Sequence, residues 1–111
     1  MAQKVPSFNP ANEAVLDGLM FDHKVAVPGK MFGIPGYKVN GKLAVGLFEE
    51  GFCLKLGRAR VQEVLALEGV SAFEPSPGRV WRDWVLITGD PTPHKALFEE
   101  AVGYVLTETS K

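Results

Sequence analysis

Residues 30–56 read KMFGIPGYKVNGKLAVGLFEEGFCLKL, and this stretch decides the fold. A Gly/Pro turn at Gly33–Gly36 leads into a short strand, Tyr37–Val39. Asn40-Gly41 follows, and two residues that both tolerate positive φ are the strongest local signal for a tight hairpin. Two further strands, Lys42–Phe48 and Phe52–Leu56, are joined at Glu49-Glu50-Gly51. Simple alternation places Leu43, Val45 and Leu47 on one face of the middle strand, and Lys42, Ala44, Gly46 and Phe48 on the other. Phe52, Leu54 and Leu56 likewise oppose Cys53 and Lys55. This is the pattern of an antiparallel meander with one face on a core and the other partly wet. Gly46 in mid-strand predicts a bulge or a close backbone approach.

Helices flank the meander. Asn9-Pro10 is a helix start, with an Asn cap and Pro at the first helical position. Val15, Leu16, Leu19 and Met20 form its apolar stripe, and the helix is expected to end near Asp22. Lys24–Val27 reads as an irregular lead-in or a short edge strand, broken by Pro28-Gly29. After the meander, Gly57 opens a second helix over Arg58–Glu68, with Val61, Val64 and Leu65 inward and Gly69 at its C′ position. Val70–Phe73 is a short extended stretch, Pro75-Ser76-Pro77-Gly78 a turn, and Val80–Thr88 a long β-prone run stopped by Gly89-Asp90-Pro91. Thr92-Pro93 repeats the cap-then-proline signature. The last helix reaches about Leu106, with Leu97, Phe98, Ala101, Val102 and Val105 inward.

The expected architecture is therefore α+β and two-layer. It has an antiparallel sheet of about 4–5 strands with three helices on one face, in the order α-β-β-β-α-β-β-α. Amphipathic helices cannot bury their own stripes, so they are expected to stack on the sheet. A length of 111 residues suits a single domain over residues 1–111 with its core at about 9–106. No apolar run approaches the length of a membrane span, and MAQKVPSFNP lacks the apolar centre of a signal peptide. One cysteine forbids an internal disulfide and agrees with a reducing compartment. A cytoplasmic location is the expectation.

The net charge of −1 conceals an asymmetry. From Lys24 to Arg60 there are seven bases against two acids, and from Val61 onward four bases against eight acids. Lys30, Lys38, Lys42, Lys55, Arg58 and Arg60 form a candidate basic surface for phosphates. The competing reading is that these lysines fill the solvent face of a sheet. Cys53, His23 and His94 are the candidates for a nucleophile or metal ligand, but no C-x-x-C or H-x-x-x-H spacing joins them. Neither a catalytic residue nor a metal or cofactor follows. Gly33 and Gly36 beside Lys30 could present N–H groups to an anion, or form a tight turn with Met31 and Phe32 as core plugs.

Trp81, Arg82, Asp83 and Trp84 are the other unusual cluster. Strand alternation would put Trp81 on one face and Trp84 on the other. The Trp on the open side, with Phe48, would form an aromatic patch of the kind that meets a partner.

Met31-Phe32-Gly33, Gly36-Tyr37, the hairpin Gly41, the strand Leu43–Phe48, Gly51-Phe52-Cys53-Leu54-Lys55-Leu56, Phe73 before the Pro-rich turn, and the Trp81–Ile87 run with its closing helix resemble the N-terminal domain of the TfoX (Sxy) competence-regulator family. The similarity spans about Asn9 to Leu106; Ile34-Pro35 stands where that family usually has Gly or an aliphatic residue. The resemblance implies a fold similar to the type III secretion chaperones and an association with competence regulation in longer members, which carry a second, helical domain. It supplies no catalytic residue. The expected function is thus a non-enzymatic binding or regulatory module, acting through protein–protein contacts with an unknown protein partner and as a homodimer. The alternative is a nucleic-acid-associated transcription or competence regulator using the 24–60 region.

Overall fold

The structure is a computed structural model that describes residues 8–20, 24–31 and 33–110. It is an α+β fold of three helices and a six-stranded antiparallel sheet. Helix α1 is Ala11–Met20. Strands β1 to β4 follow at Val27–Met31, Ile34–Val39, Lys42–Phe48 and Gly51–Lys55. Helix α2 is Arg58–Val64, β5 is Val70–Ala72 and β6 is Trp84–Ile87. Helix α3, Lys95–Thr109, continues from a 3-10 turn at Thr92–His94. The sheet order is β1-β2-β3-β4-β6-β5.

The sheet has six strands rather than four or five. The addition is β1, which runs straight through Pro28-Gly29, with Pro28 opposite Tyr37 and Gly29 opposite Gly36. β1 is an edge strand, where a residue without an N–H need not break a ladder bond. Gly33, at φ 79°, closes a hairpin in which Met31 pairs with Ile34, so β2 starts three positions before Tyr37. Phe32 and the side chain of Met31, expected as core plugs, lie outside the described residues, as does the expected helix end at Asp22. The Asn40-Gly41 hairpin forms as its sequence dictates: both residues have positive φ, 52° and 82°. That is the mirror-image turn whose twist matches two antiparallel strands.

Helix α1 is capped by Asn9, whose Oδ1 accepts the Ala11 N–H at 3.0 Å. The same residue ties the helix to the β3–β4 turn. Its backbone N–H donates to the Glu49 carbonyl at 2.9 Å, and its Nδ2 to Glu50 Oε1 at 3.0 Å. Helix α2 ends at Val64, four residues short of the expected Glu68. Leu67 and Val70 N–H groups donate to Val64 and Leu67 carbonyls in successive turns instead. Gly69, at φ 82°, therefore turns the chain into β5 rather than capping a helix. The α3 approach is held by Asp90, not Thr92: the Asp90 carboxylate accepts the Thr92 N–H at 3.0 Å, which holds that carboxyl below its usual range.

The helices meet in one cluster, although Val15, expected in the α1 stripe, is exposed, and Leu19 and Leu65 are only partly buried. Leu16 and Met20 come from α1, Val61 and Val64 from α2, and Leu97, Phe98, Ala101, Val102 and Val105 from α3. The last five are the whole inward stripe read from the sequence. Tyr37, Val39, Val45, Leu47, Phe52, Leu54, Val85 and Ile87 meet them from the sheet. Phe52 and Phe98 touch edge to face at 5.8 Å between centroids. Each such side chain, fully buried, contributes about 1.5–3 kcal/mol.

Candidate binding face

The alternate residues of the same strands build a second cluster, and a bulge determines its membership. Tyr37 pairs with Val45 but Lys38 pairs with Leu43, so Ala44 is an extra residue in β3. The bulge resets the alternation. Val45 and Leu47 enter the helix-side core, whereas Leu43 joins the other cluster with Phe48. Strict alternation had placed Leu43 with Val45, and that assignment is corrected. Gly46 next to the bulge also meets the predicted close approach. It pairs with Gly36, where an added Cβ would come within 2.6 Å of the Val45 carbonyl oxygen and 3.1 Å of Gly46 Cα.

Gly36, Gly46 and Cys53 lie in cross-strand register on β2, β3 and β4, with Leu86 of β6 beyond. Gly46 and Cys53 form the floor of a depression in the sheet surface, and large side chains stand around it. Phe73 is the hub of these walls. Its ring meets Phe48 edge to face at 4.9 Å, Trp81 at 5.3 Å and Trp84, tilted, at 6.0 Å. Trp81 and Trp84 are 5.8 Å apart. Edge-to-face pairs of this kind add about 0.5–1.5 kcal/mol each beyond area burial and fix ring orientation.

Both Trp residues therefore belong to one cluster, and the expectation of one on each face is overturned. Val80–Thr88 is not one strand. Only Trp84–Ile87 joins the sheet, and Trp81 precedes a turn in which Trp84 N–H donates to the Trp81 carbonyl at 3.1 Å. The Asp83 carbonyl accepts from Leu56 and Gly57 N–H groups, which ends any alternation there. Residues 73–83 form a long loop folded back on itself. A Ser76-Pro77-Gly78-Arg79 turn closes it, with Gly78 at φ 81° and Glu74 accepting the Gly78 N–H at 2.7 Å. Trp81 N–H then donates to the Phe73 carbonyl at 2.9 Å, which brings the two rings together.

The rings and the small-residue floor enclose a cavity of about 150 Å³, open on one side. Trp84 is buried beneath Trp81, while Phe48 and Trp81 are half-buried and form the rim. The three residues expected as an interaction surface are thus together. Phe73, Leu43, Ile34 and Pro35 also line the cavity and were not among them. Cys53 forms part of the floor. Burial in this apolar setting pushes its thiol up to about 12, against small opposing hydrogen bonds at Cys53 and Gly46. It stays protonated at neutral pH and behaves as a small apolar group rather than a nucleophile.

The six candidate basic residues are dispersed. Lys30 and Lys38 lie on β1 and β2, Lys42 begins β3, Lys55 ends β4, and Arg58 and Arg60 open α2. Lys38 and Lys42 flank the hairpin at adjacent register positions, so their side chains leave the sheet on opposite faces. Two of the six have acidic partners. Arg60 makes a two-pronged contact with Glu100 at 2.8 and 2.9 Å and a third with Glu63 at 2.9 Å, which raise its pKa. Lys55 Nζ lies 3.8 Å from Glu108. His94 is used structurally, with Nε2 2.9 Å from the Glu68 carbonyl. His23 lies outside the described residues. Among the described residues, no group of three or more His, Cys, Asp or Glu is placed to hold a metal. A second concavity lies between α1 and β2, where Tyr37 Oη donates to Asp17 Oδ1 at 2.8 Å. Burial, then this bond, pushes the Tyr37 phenol up to about 12.

No family model, no curated protein and no solved structure matches this chain. No helix among the described residues is long and apolar enough to cross a membrane.

Proposed function

We propose that the protein is a non-enzymatic binding module of the TfoX N-terminal-domain type, acting in the cytoplasm through protein–protein contacts and as a homodimer. The proposed architecture is two-layered, with the three helices on one side of the sheet and a fold similar to the secretion chaperones. One observation carries the reading: the sheet residues that do not face the helices form a half-buried aromatic surface instead of a polar one. Phe48, Trp81, Leu43 and Leu86 are partly exposed around a buried Trp84 and Phe73. Contiguous apolar surface rimmed by polar residues marks interaction sites in soluble proteins. A two-fold contact would count each buried ring twice, which helps to offset the entropy lost on association.

The nucleic-acid reading draws less support, because Arg60 and Lys55 are partnered by acids and the remaining bases sit on separate elements. Sedimentation from low to high micromolar concentration tests the proposal. A monomer–dimer equilibrium is expected, and a strict monomer at high micromolar concentration would contradict the homodimer.

A further inference from the structure

The cavity over Cys53 has a feature that association between flat surfaces does not require: a depth set by missing side chains. Gly36 and Gly46 face each other, and Cys53 continues the row. At Gly46 an added Cβ would be 3.4 Å from both Cys53 Sγ and a Leu43 methyl, an ordinary contact. The backbone at Gly46 therefore does not demand glycine for want of room. Its absent side chain keeps the floor low.

The walls are preorganised. Phe73 holds Phe48, Trp81 and Trp84 in edge-to-face or tilted contact, so little ordering is needed to admit a guest. Among the described residues, the lining carries no charged side chain. The thiol at the floor is neutral, and sulfur against a ring edge is a favourable contact. At about 150 Å³ the cavity has the size of one benzene ring.

From these observations we infer that the cavity is a binding site for a small, uncharged, ring-sized apolar molecule: a simple aromatic or alicyclic compound whose one ring rests on Gly46 and Cys53 against the wall formed by Phe73 and Trp84. A charged group would lose its hydration there without a partner, so carboxylate or ammonium derivatives of the same ring are excluded. The open side leaves room for one short substituent. This goes beyond the protein–protein reading and does not need it.

The test uses the full chain, titrated with toluene and indole, and with 4-methylbenzoate and benzylammonium as charged counterparts. Methyl resonances of Leu43 report cavity filling, and methyls of Val61, Val102 and Val105 report the helix-side core. The inference predicts saturable shifts in the first group only, with the charged compounds at least about tenfold weaker. Cys53→Leu, which fills the floor, should abolish those shifts. Gly46→Ala, which adds a single methyl group in ordinary van der Waals contact, should weaken them even if Cys53→Leu folds poorly. Absence of saturation, equal response to the charged compounds, or unchanged binding by folded Gly46→Ala would overturn it. If the ring compounds fail while the wild type still dimerises through Trp81, the cavity inference alone fails and the protein-contact reading stands.

Discussion

Phe52 and Cys53 are adjacent in β4, yet they belong to two different kinds of interior. Phe52 enters a cluster of aliphatic side chains and Phe98 that the helices close completely, with most members under about 4% exposed. Cys53 enters a cluster of rings that no described residue closes and that retains a cavity. The first cluster has little room to respond to another molecule, and the second has both a rim and a hollow. A closed cluster and a hollow one thus draw on adjacent residues of the same strand, one residue out of phase.

The largest effect expected on this division is in the closed interior. Phe98→Ala should cost about 3–5 kcal/mol, since a fully enclosed ring leaves a cavity that rigid neighbours cannot fill. Chemical denaturation measures it. Trp84→Ala should approach the same range, because Trp84 lies beneath the rim and supports Trp81 and Phe73. If Trp84→Ala instead costs as little as a surface change, the second cluster has no rigid interior and the contrast collapses to one core and a loose coat.

Gly36→Ala sharpens the comparison at the glycine pair beside the floor. A methyl group there meets the Val45 carbonyl oxygen at 2.6 Å, and backbone cannot rotate away. A cost of about 1–3 kcal/mol is expected, in contrast to Gly46→Ala, which has room. Thermal melts of the two variants side by side separate a steric need for glycine from a cavity-making one.

The smallest effect is at Tyr37, on the closed side. Its phenol ionises at about 12 when folded, against about 10 in an unfolded chain. The raised value means that its contribution to stability is fully present below pH ~10 and is lost as the pH rises through about 12. Tyr37→Phe removes the bond to Asp17, at a cost of about 1 kcal/mol, and should flatten the alkaline edge of the stability profile. An unchanged alkaline edge would mean that another group sets it.

Much of the closed side was legible in the sequence. The five-residue stripe of α3, the Asn9 cap and the Asn40-Gly41 hairpin depend on local spacing and turn chemistry, and each formed as read. The open side was less legible, because it depends on breaks in periodicity. An extra residue in β3 moved Leu43 to the opposite face. A turn at Trp81–Trp84 put two Trp residues in one cluster where an unbroken strand would have separated them. Phe73 became central only because residues 73–83 fold back, and the sole local sign of that was the Ser76-Pro77-Gly78 turn. The β1 strand was missed because Pro28-Gly29 reads as a break, and its position at the sheet edge removes that objection.

The central claim is that the half-buried rings exist for contact rather than for folding, and Trp81 separates the two most directly. Trp81→Ala removes the rim while Trp84 and Phe73 remain below it. Sedimentation equilibrium and a thermal melt on the same samples, beside wild type at high micromolar concentration, decide the matter. The account predicts a dimeric wild type and a folded, monomeric Trp81→Ala whose melting temperature falls by only a few degrees, corresponding to about 1 kcal/mol. A Trp81→Ala protein that stays dimeric, or that loses its fold outright, would contradict it.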